Sequence, residues 1–336
     1  MRPVPEAIFL GIDVGSVSTN LAVVDRQGAV CQTVYLRTQG QPIQALQKGL
    51  AELRPFLGPG WEVKGVGATG SARQLIGFIA GADVIKNEIT AHAVAALHLV
   101  PGVQTVLEIG GQDSKIIILR QGVVVDFAMN TVCAAGTGSF LDHQAARLHI
   151  PIEEFGRLAL RSQNPVRIAG RCGVFAESDM IHKQQTGHRL EDIVAGLCEA
   201  LVRNYLNNVG KGKEILPPVV FQGGVAANVG IKAAFERALG TEIIVPAHHA
   251  VMGAIGAALL AKEAWEEEKR PSRFRGLAVE ECLWETASFE CPGCPNRCEV
   301  VEVLREKSCV ARWGDRCGRW SGERETGSPL ATGIRA

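Results

Sequence analysis

Residues 8–19 of this 336-residue chain read Ile-Phe-Leu-Gly-Ile-Asp-Val-Gly-Ser-Val-Ser-Thr, and they decide the fold because their plan occurs twice. A strand-like apolar run ends here in an acidic turn with glycine, and two more strand-like runs and a helical pattern follow. Residues 104–114, Gln-Thr-Val-Leu-Glu-Ile-Gly-Gly-Gln-Asp-Ser, begin the same order again. This internal duplication predicts an α/β protein whose two similar lobes face each other across a cleft.

The two acidic turns have the composition of phosphate-binding loops. Glycine lets backbone N–H groups reach phosphate oxygens, hydroxyl groups add hydrogen bonds, and an aspartate holds magnesium through water. Hairpin turns also use Gly and Asp for conformational reasons alone, so one such turn is a weak signal. Two at matching places, with a third glycine loop before a later helix, predict a nucleotide site. The predicted residues are Asp13, Gly15, Ser16, Ser18, Thr19, Gly110, Gly111, Gln112, Asp113, Gly223 and Gly224.

Residues 130–142, Asn-Thr-Val-Cys-Ala-Ala-Gly-Thr-Gly-Ser-Phe-Leu-Asp, join a strand-like run to a helical pattern. Cys133 is therefore predicted at a helix start, where unpaired N–H groups and the helix dipole stabilise a thiolate. Gly136 and Gly138 allow a tight turn or close approach of a ligand. Cys172 also directly precedes a helical run. A cubane iron–sulfur cluster needs four thiolates, which two chains would supply across a twofold axis; the alternative is that both cysteines only pack.

The chain has no net charge, which gives no indication of nucleic acid or a membrane as partner. The N-terminal residues lack a signal-peptide pattern, and no apolar run reaches the length of a membrane span. We therefore expect a soluble, cytoplasmic protein. Ten cysteines are many for such a protein, and five of them fall between residues 291 and 317.

Residues 6–265 resemble the superfamily of actin, sugar kinases and heat-shock chaperone ATPases, which has two ribonuclease-H-like lobes. The resemblance rests on the two phosphate loops, the Gly223-Gly224 loop and a final helix rich in small residues that begins near His249. It implies MgATP in the cleft, with Asp13 and Asp113 around magnesium and Gln112 near the attacking water. It also implies that the adenosine lies along Gly223, Gly224 and Asn228. One departure is Asn20, which stands where relatives often have a lysine.

The two cysteine segments, around Cys133 and Cys172-Gly-Val-Phe-Ala-Glu-Ser, resemble those of the activator ATPases of 2-hydroxyacyl-CoA dehydratases. Those proteins group with the ATPase subunits of benzoyl-CoA reductase and the reductases of double-cubane-cluster proteins. The resemblance implies a homodimer in which Cys133 and Cys172 of each chain hold one bridging [4Fe-4S] cluster. It further implies ATP-driven transfer of a low-potential electron, received from ferredoxin or flavodoxin, to a partner iron–sulfur enzyme. A small-molecule kinase and a nucleotide-dependent regulator of the same fold are the alternatives.

The end of the chain has a different composition. Cys291, Cys294, Cys298 and Cys317 form a credible four-thiolate set for zinc or a second cluster. We predict an ATPase domain over residues 1–268, with a first lobe over about 1–90 and a second over about 91–268. Residues 269–336 are predicted to form a linker and a cysteine-rich tail.

Overall fold

A computed structural model of the chain describes residues 6–58, 60–130, 133–277, 279 and 282–323. The chain divides into one compact unit that ends at Phe274 and a second that begins at Arg275. In the described part, no helix combines the length and apolar character needed to cross a membrane.

The first lobe is built on a five-stranded sheet with the order β3-β2-β1-β4-β5. Its strands are β1 (Glu6–Val14), β2 (Ser18–Asp25), β3 (Val30–Arg37), β4 (Trp61–Thr69) and β5 (Val84–Ile85), and its helices are α1 (Pro42–Leu53) and α2 (Arg73–Ala80). Strand β1 pairs antiparallel with β2 and parallel with β4, and it is almost wholly buried. Helix α3 (Glu88–Leu99) follows.

The second lobe repeats this plan, since its five-stranded sheet has the order β10-β9-β6-β7-β8. The strands are β6 (Thr105–Ile109), β7 (Ser114–Arg120), β8 (Val123–Asn130), β9 (Val219–Gln222) and β10 (Ile243–Ile244). The helices are α4 (Gly138–Arg147), α5 (Ile152–Leu160), α6 (Gly173–Gln185), α7 (Leu190–Asn208) and α8 (Val229–Leu239). The last helix, α9 (Met252–Glu268), was predicted with the second lobe but packs against β1, β2 and β4 of the first sheet. Three strands in antiparallel sequence, then two added in parallel, occur in both lobes. This confirms the predicted fold of two duplicated ribonuclease-H-like lobes.

Among the described residues, two clusters of buried apolar side chains stabilise the first unit. One lies within the second lobe, where the ring of Phe235 packs edge-on against Tyr205 and Phe221 at centroid distances of 5.3 and 5.2 Å. The other lies between the sheets and includes α3 and α9. Gly11 of β1 allows a very close approach of α9, because a Cβ added there would collide with the backbone of Ala254.

The second unit contains a four-stranded antiparallel meander, β11 (Trp284–Glu290), β12 (Glu299–Arg305), β13 (Ser308–Trp313) and β14 (Gly322–Glu323). Trp284, Val300 and Val303 are among its buried residues. Because consecutive strands run in opposite directions, the β11–β12 and β13–β14 connections lie at the same end of this sheet.

Candidate nucleotide and cysteine sites

A cavity of about 420 Å³ lies between the two lobes of the first unit, at the turns that end β1 and β6. Twelve of the predicted site residues line it: Asp13, Gly15, Ser16, Ser18, Gly110, Gly111, Gln112, Asp113, Gly138, Gly223, Gly224 and Asn228. Thr19 and Gly136 lie outside the lining. The Thr19 hydroxyl is 3.0 Å from that of Thr38, and Gly136 packs against the amide of Asn204.

The two predicted phosphate loops, residues 15–18 and 110–113, each close with an equivalent backbone hydrogen bond. The Gly15 N–H donates to the Ser18 carbonyl at 2.9 Å, and the Gly110 N–H donates to the Asp113 carbonyl at 3.0 Å. This equivalence matches Asp113 with Ser18 rather than with Asp13.

The strand pairs that flank these loops extend the equivalence. Asp13 pairs with Asn20 across the first hairpin, and Glu108 pairs with Lys115 across the second. The duplicated counterpart of Asp13 is therefore Glu108. The lysine that the first hairpin lacks at Asn20 is present in the second hairpin as Lys115.

Lys115 lies at the centre of a buried charge cluster that the sequence analysis missed. Its Nζ is 2.8 Å from Glu88 Oε2, 3.2 Å from Glu108 Oε2 and 2.8 Å from Asp113 Oδ2, and its side chain is 2% exposed. An ammonium group has three N–H donors, and each has a carboxylate partner here. Lys115 therefore holds Asp113 and Glu108 in place at the second phosphate loop.

Burial governs ionisation in this cluster. Loss of hydration, with the neighbouring charge of Glu88, raises the pKa of Asp13 to about 7. Burial also raises the pKa of Glu108 to about 8, although Lys115 opposes this effect. His92, whose Nδ1 is 2.7 Å from the Gln222 amide, has its pKa lowered to about 4 by burial and Lys115. It is therefore neutral at pH 7, and Glu108 retains its proton there.

This arrangement predicts a pH-dependent stability. A carboxyl group with a raised pKa binds more protons in the folded than in the unfolded state. Its contribution to the free energy of unfolding therefore falls as pH rises from about 4.5 towards 8. The free energy of unfolding of the nucleotide-free chain should decrease between pH 6 and 8.5 by on the order of 2 kcal/mol through Glu108. Urea titrations of the wild type and Glu108→Gln test this, since glutamine should flatten the dependence. Parallel pH profiles would exclude Glu108 as the source.

The Gly223-Gly224 loop and the start of α8 also line the cavity. Asn228 caps α8, where its Oδ1 accepts hydrogen bonds from the N–H groups of Gly230 and Ile231 at 3.0 and 3.1 Å. Its Nδ2 and the Oδ1 of Asn20 have no hydrogen-bond partner among the described residues, and both side chains line the cavity. Buried polar atoms normally have hydrogen-bond partners, so these two atoms indicate a polar ligand. This agrees with a nucleotide bound between two glycine loops.

Gly224 offers a direct steric test of this site. The atom nearest to an added Cβ would be Tyr35 Oη at 3.8 Å, so the position opens onto the cavity. Gly224→Val should weaken MgATP binding about 10- to 100-fold, measured by calorimetry, because the new side chain occupies ligand space. Gly58→Val, also at a position with open space but outside the cavity lining, is the matched control. Equal affinities for the two variants would remove Gly224 from the site.

The two predicted cluster cysteines each cap a helical segment. Cys133 precedes a short 3-10 helix (Ala134–Gly136) that leads into α4, and Cys172 is the N-cap residue of α6. Both are partly exposed. A Cβ added at Gly173 would lie 3.8 Å from the Ala135 Cβ, so the segments after the two cysteines are neighbours.

Hydrogen bonds join the second phosphate loop to the segment that follows Cys133. At the start of α4, the N–H groups of Gly138 and Ser139 donate to the carbonyls of Gly110 and Gly111, both at 2.9 Å. On the other side of the cysteine, the Asn130 side chain bonds both the N–H and the carbonyl of Cys133, at 3.0 and 2.9 Å. The second phosphate loop is therefore hydrogen-bonded directly to the segment that follows Cys133.

The donor set at the cysteine site fits half of a cubane cluster. Within residues 6–58, 60–130, 133–277, 279 and 282–323, no three His, Cys, Asp or Glu side chains converge as a metal site. Cys133 and Cys172 supply two partly exposed thiols at helix starts, and a second chain would be needed for four.

The cysteines of the second unit lie mostly at one end of its sheet. Cys291, Cys294 and Cys298 occupy the β11–β12 connection and Cys317 the β13–β14 connection, whereas Cys309 lies on β13. The buried Cys291 Sγ accepts hydrogen bonds from the Gly293 N–H at 3.4 Å and from the Trp320 indole at 3.2 Å. The four sulfurs do not converge as a metal site here, so metal binding by the tail stays a prediction.

The duplicated lobes and their phosphate loops define a nucleotide-binding protein of ribonuclease-H-like fold. The chain belongs to the BadF/BadG/BcrA/BcrD ATPase family, which matches residues 10–261, and it is an ATPase. The 2-hydroxyisocaproyl-CoA dehydratase activator of Clostridioides difficile is 35% identical over 263 residues, 77% of this chain and 97% of the relative. The (R)-2-hydroxyglutaryl-CoA dehydratase activating ATPase of Acidaminococcus fermentans is 40% identical over 197 residues, 58% of this chain and 74% of the relative. A solved structure of the 2-hydroxyisocaproyl-CoA dehydratase activator from Clostridium difficile with bound ADPNP superimposes with a TM-score of 0.69 at 33% identity, covering 78% of this chain and 97% of that one.

Proposed function

We propose that the chain is an ATP-dependent activator that delivers low-potential electrons to a partner iron–sulfur enzyme. Its family membership and its relatives, which activate CoA-ester dehydratases, support this function. The observation that carries the proposal is the pair of hydrogen bonds between the second phosphate loop and the start of α4. These bonds join the nucleotide site directly to the segment that follows Cys133, so we expect the two to move together.

The nucleotide site performs the hydrolytic part of this function. Bound magnesium would supply charge neutralisation for the transferring phosphate, and Asp13 and Asp113 are the residues that would hold it through water. Gln112, in the second phosphate loop, orients the attacking water. Asn228 and the Gly223-Gly224 loop bind the adenosine side. Lys115 holds the Asp113 carboxylate in place at the cavity.

The cysteine site performs the redox part. Cys133 and Cys172 of two chains would hold one [4Fe-4S] cluster, which supplies one-electron chemistry. Their places at helix starts favour a negatively charged group. Hydrolysis changes the contacts that Gly110 and Gly111 make with phosphate, and the hydrogen-bonded start of α4 follows. The two cysteine segments then alter their exposure and their fit to the partner.

The proposed partners follow from this chemistry. The acceptor is an iron–sulfur dehydratase or reductase that acts on a CoA ester, and ferredoxin or flavodoxin is the upstream donor. A nonhydrolysable ATP analogue provides the test. Reduced protein should pass electrons to an isolated acceptor enzyme with MgATP and not with the analogue. Equal transfer with both, or a colourless protein that phosphorylates a small molecule, would contradict the proposal and favour a kinase.

We further propose that Cys291, Cys294, Cys298 and Cys317 bind zinc or a second iron–sulfur cluster. Both connections that carry them lie at one end of the sheet, and the N–H donors at Cys291 suit a thiolate ligand. Elemental analysis of the full chain, in a Cys133→Ser background, should show metal that Cys294→Ser and Cys317→Ser remove. Cys309→Ser, at a strand position, should retain it. Equal metal content in all three variants would refute a tail site.

A further inference from the structure

The side chain of Asn204 lies between the two cysteine segments. Asn204 belongs to α7 and is 1% exposed. Its Nδ2 donates to the Gly170 carbonyl at 2.7 Å, and it also lies 3.4 Å from the Arg171 carbonyl, directly before Cys172. The same nitrogen donates to the Cys133 sulfur at 3.8 Å. One amide group thus contacts both segments that carry the cluster cysteines.

The orientation of this amide is fixed by its surroundings. A flip would bring Oδ1 against two carbonyl oxygens, so the nitrogen must face Gly170 and Arg171. On the other side, Oδ1 accepts a hydrogen bond from Asn208 Nδ2 at 2.8 Å. Gly136 packs against the same oxygen, since an added Cβ there would lie 2.7 Å away. The N–H that points to the Cys133 sulfur is therefore held in place from both ends.

We infer that Asn204 is a positioning residue for the bridging cluster. It positions the cluster by contacting both cysteine segments, and its N–H···S hydrogen bond adjusts the reduction potential of the cluster. This inference rests on the proposed function. A hydrogen bond to a ligand sulfur stabilises the extra negative charge of the reduced state, so it raises the reduction potential. In a twofold dimer, two such amides act on one cluster.

The position of Asn204 also relates it to the nucleotide site. Gly136, which packs against Oδ1, is two residues before Gly138, whose N–H bonds the second phosphate loop. A shift of that loop therefore moves the segment against which the Asn204 amide rests. The strength of the N–H···S bond then varies with nucleotide state.

Asn204→Leu tests this inference, because leucine has a similar volume and lacks the N–H donor. Its cluster should have a lower reduction potential than wild type, and its iron affinity should fall about 10- to 100-fold. Asn204→Asp, measured in parallel, keeps the size and the acceptor oxygen and should also lower the potential. Asn207→Leu is the matched control, since Asn207 is an exposed asparagine on the same helix.

Binding of MgADP reports whether each variant is folded, and the aspartate variant keeps the test valid if the leucine variant does not fold. An unchanged potential and unchanged iron retention in folded Asn204 variants would overturn the inference alone. A wild-type protein that binds no cluster would overturn the proposed function and, with it, this inference.

Discussion

Replacing Asp113 with alanine should lower the rate of MgATP hydrolysis about 100- to 1,000-fold, with nucleotide affinity changed only a few-fold. Asp113 lines the cavity at the end of the second phosphate loop, and Lys115 fixes its carboxylate at 2.8 Å. In the proposed mechanism, Asp113 helps to organise metal and water when charge develops on the phosphate, and it takes no part in binding adenosine. Steady-state hydrolysis and calorimetric binding of MgADP measure the two effects separately.

Asp126→Ala is the control for this prediction. Asp126 is exposed, pairs with Lys213 at 2.6 Å, and does not line the cavity. Hydrolysis by this variant should match that of the wild type. A wild-type rate for Asp113→Ala would remove Asp113 from the mechanism.

Replacing either Cys133 or Cys172 with serine should abolish the bridging cluster. Anaerobically reconstituted wild type is expected to carry about four irons per two chains at this site, because a cubane cluster needs four thiolates. Each single substitution removes two of the four ligands from a dimer, one per chain. The iron should be lost while MgADP binding remains, since neither cysteine lines the nucleotide cavity.

The tail cysteines are changed to serine in every protein of this comparison, so that their metal does not enter the count. Cys31→Ser is the matched control, because Cys31 is a partly exposed cysteine on β3. It should keep full iron and the dimeric state. Four irons retained in Cys133→Ser, or a monomer that binds a complete cluster, would contradict the shared site.

The sequence contains enough local information to predict the fold and most of the cavity. Apolar runs that end in acidic glycine turns are local signals, and their repetition predicted the two lobes correctly. The N-cap positions of Cys133 and Cys172 could be predicted because a helical sequence pattern begins shortly after each cysteine. Thr19 was expected at the nucleotide because it adjoins the first loop. Successive side chains of β2 point to opposite faces, however, and the Thr19 hydroxyl faces Thr38.

The residues that the sequence analysis missed depend on long-range contacts. Glu108 and Lys115 could have been found by aligning the two hairpins residue by residue, which pairs them with Asp13 and Asn20. Glu88 begins a helix outside both hairpins, and no local pattern indicates that it reaches Lys115. Asn204 is 71 residues from Cys133 in the chain, and only the packing of α7 brings them together.

The proposed function requires that nucleotide state at the phosphate loops is coupled to the cysteine site. The most direct measurement is the rate of iron loss from the reconstituted dimer to a chelator, compared in saturating MgADP and MgATP. Coupling between linked sites is typically about 1–3 kcal/mol, so the two rates should differ by roughly 5- to 150-fold. Identical rates in both nucleotide states, in a protein that holds the cluster and hydrolyses ATP, would contradict this coupling.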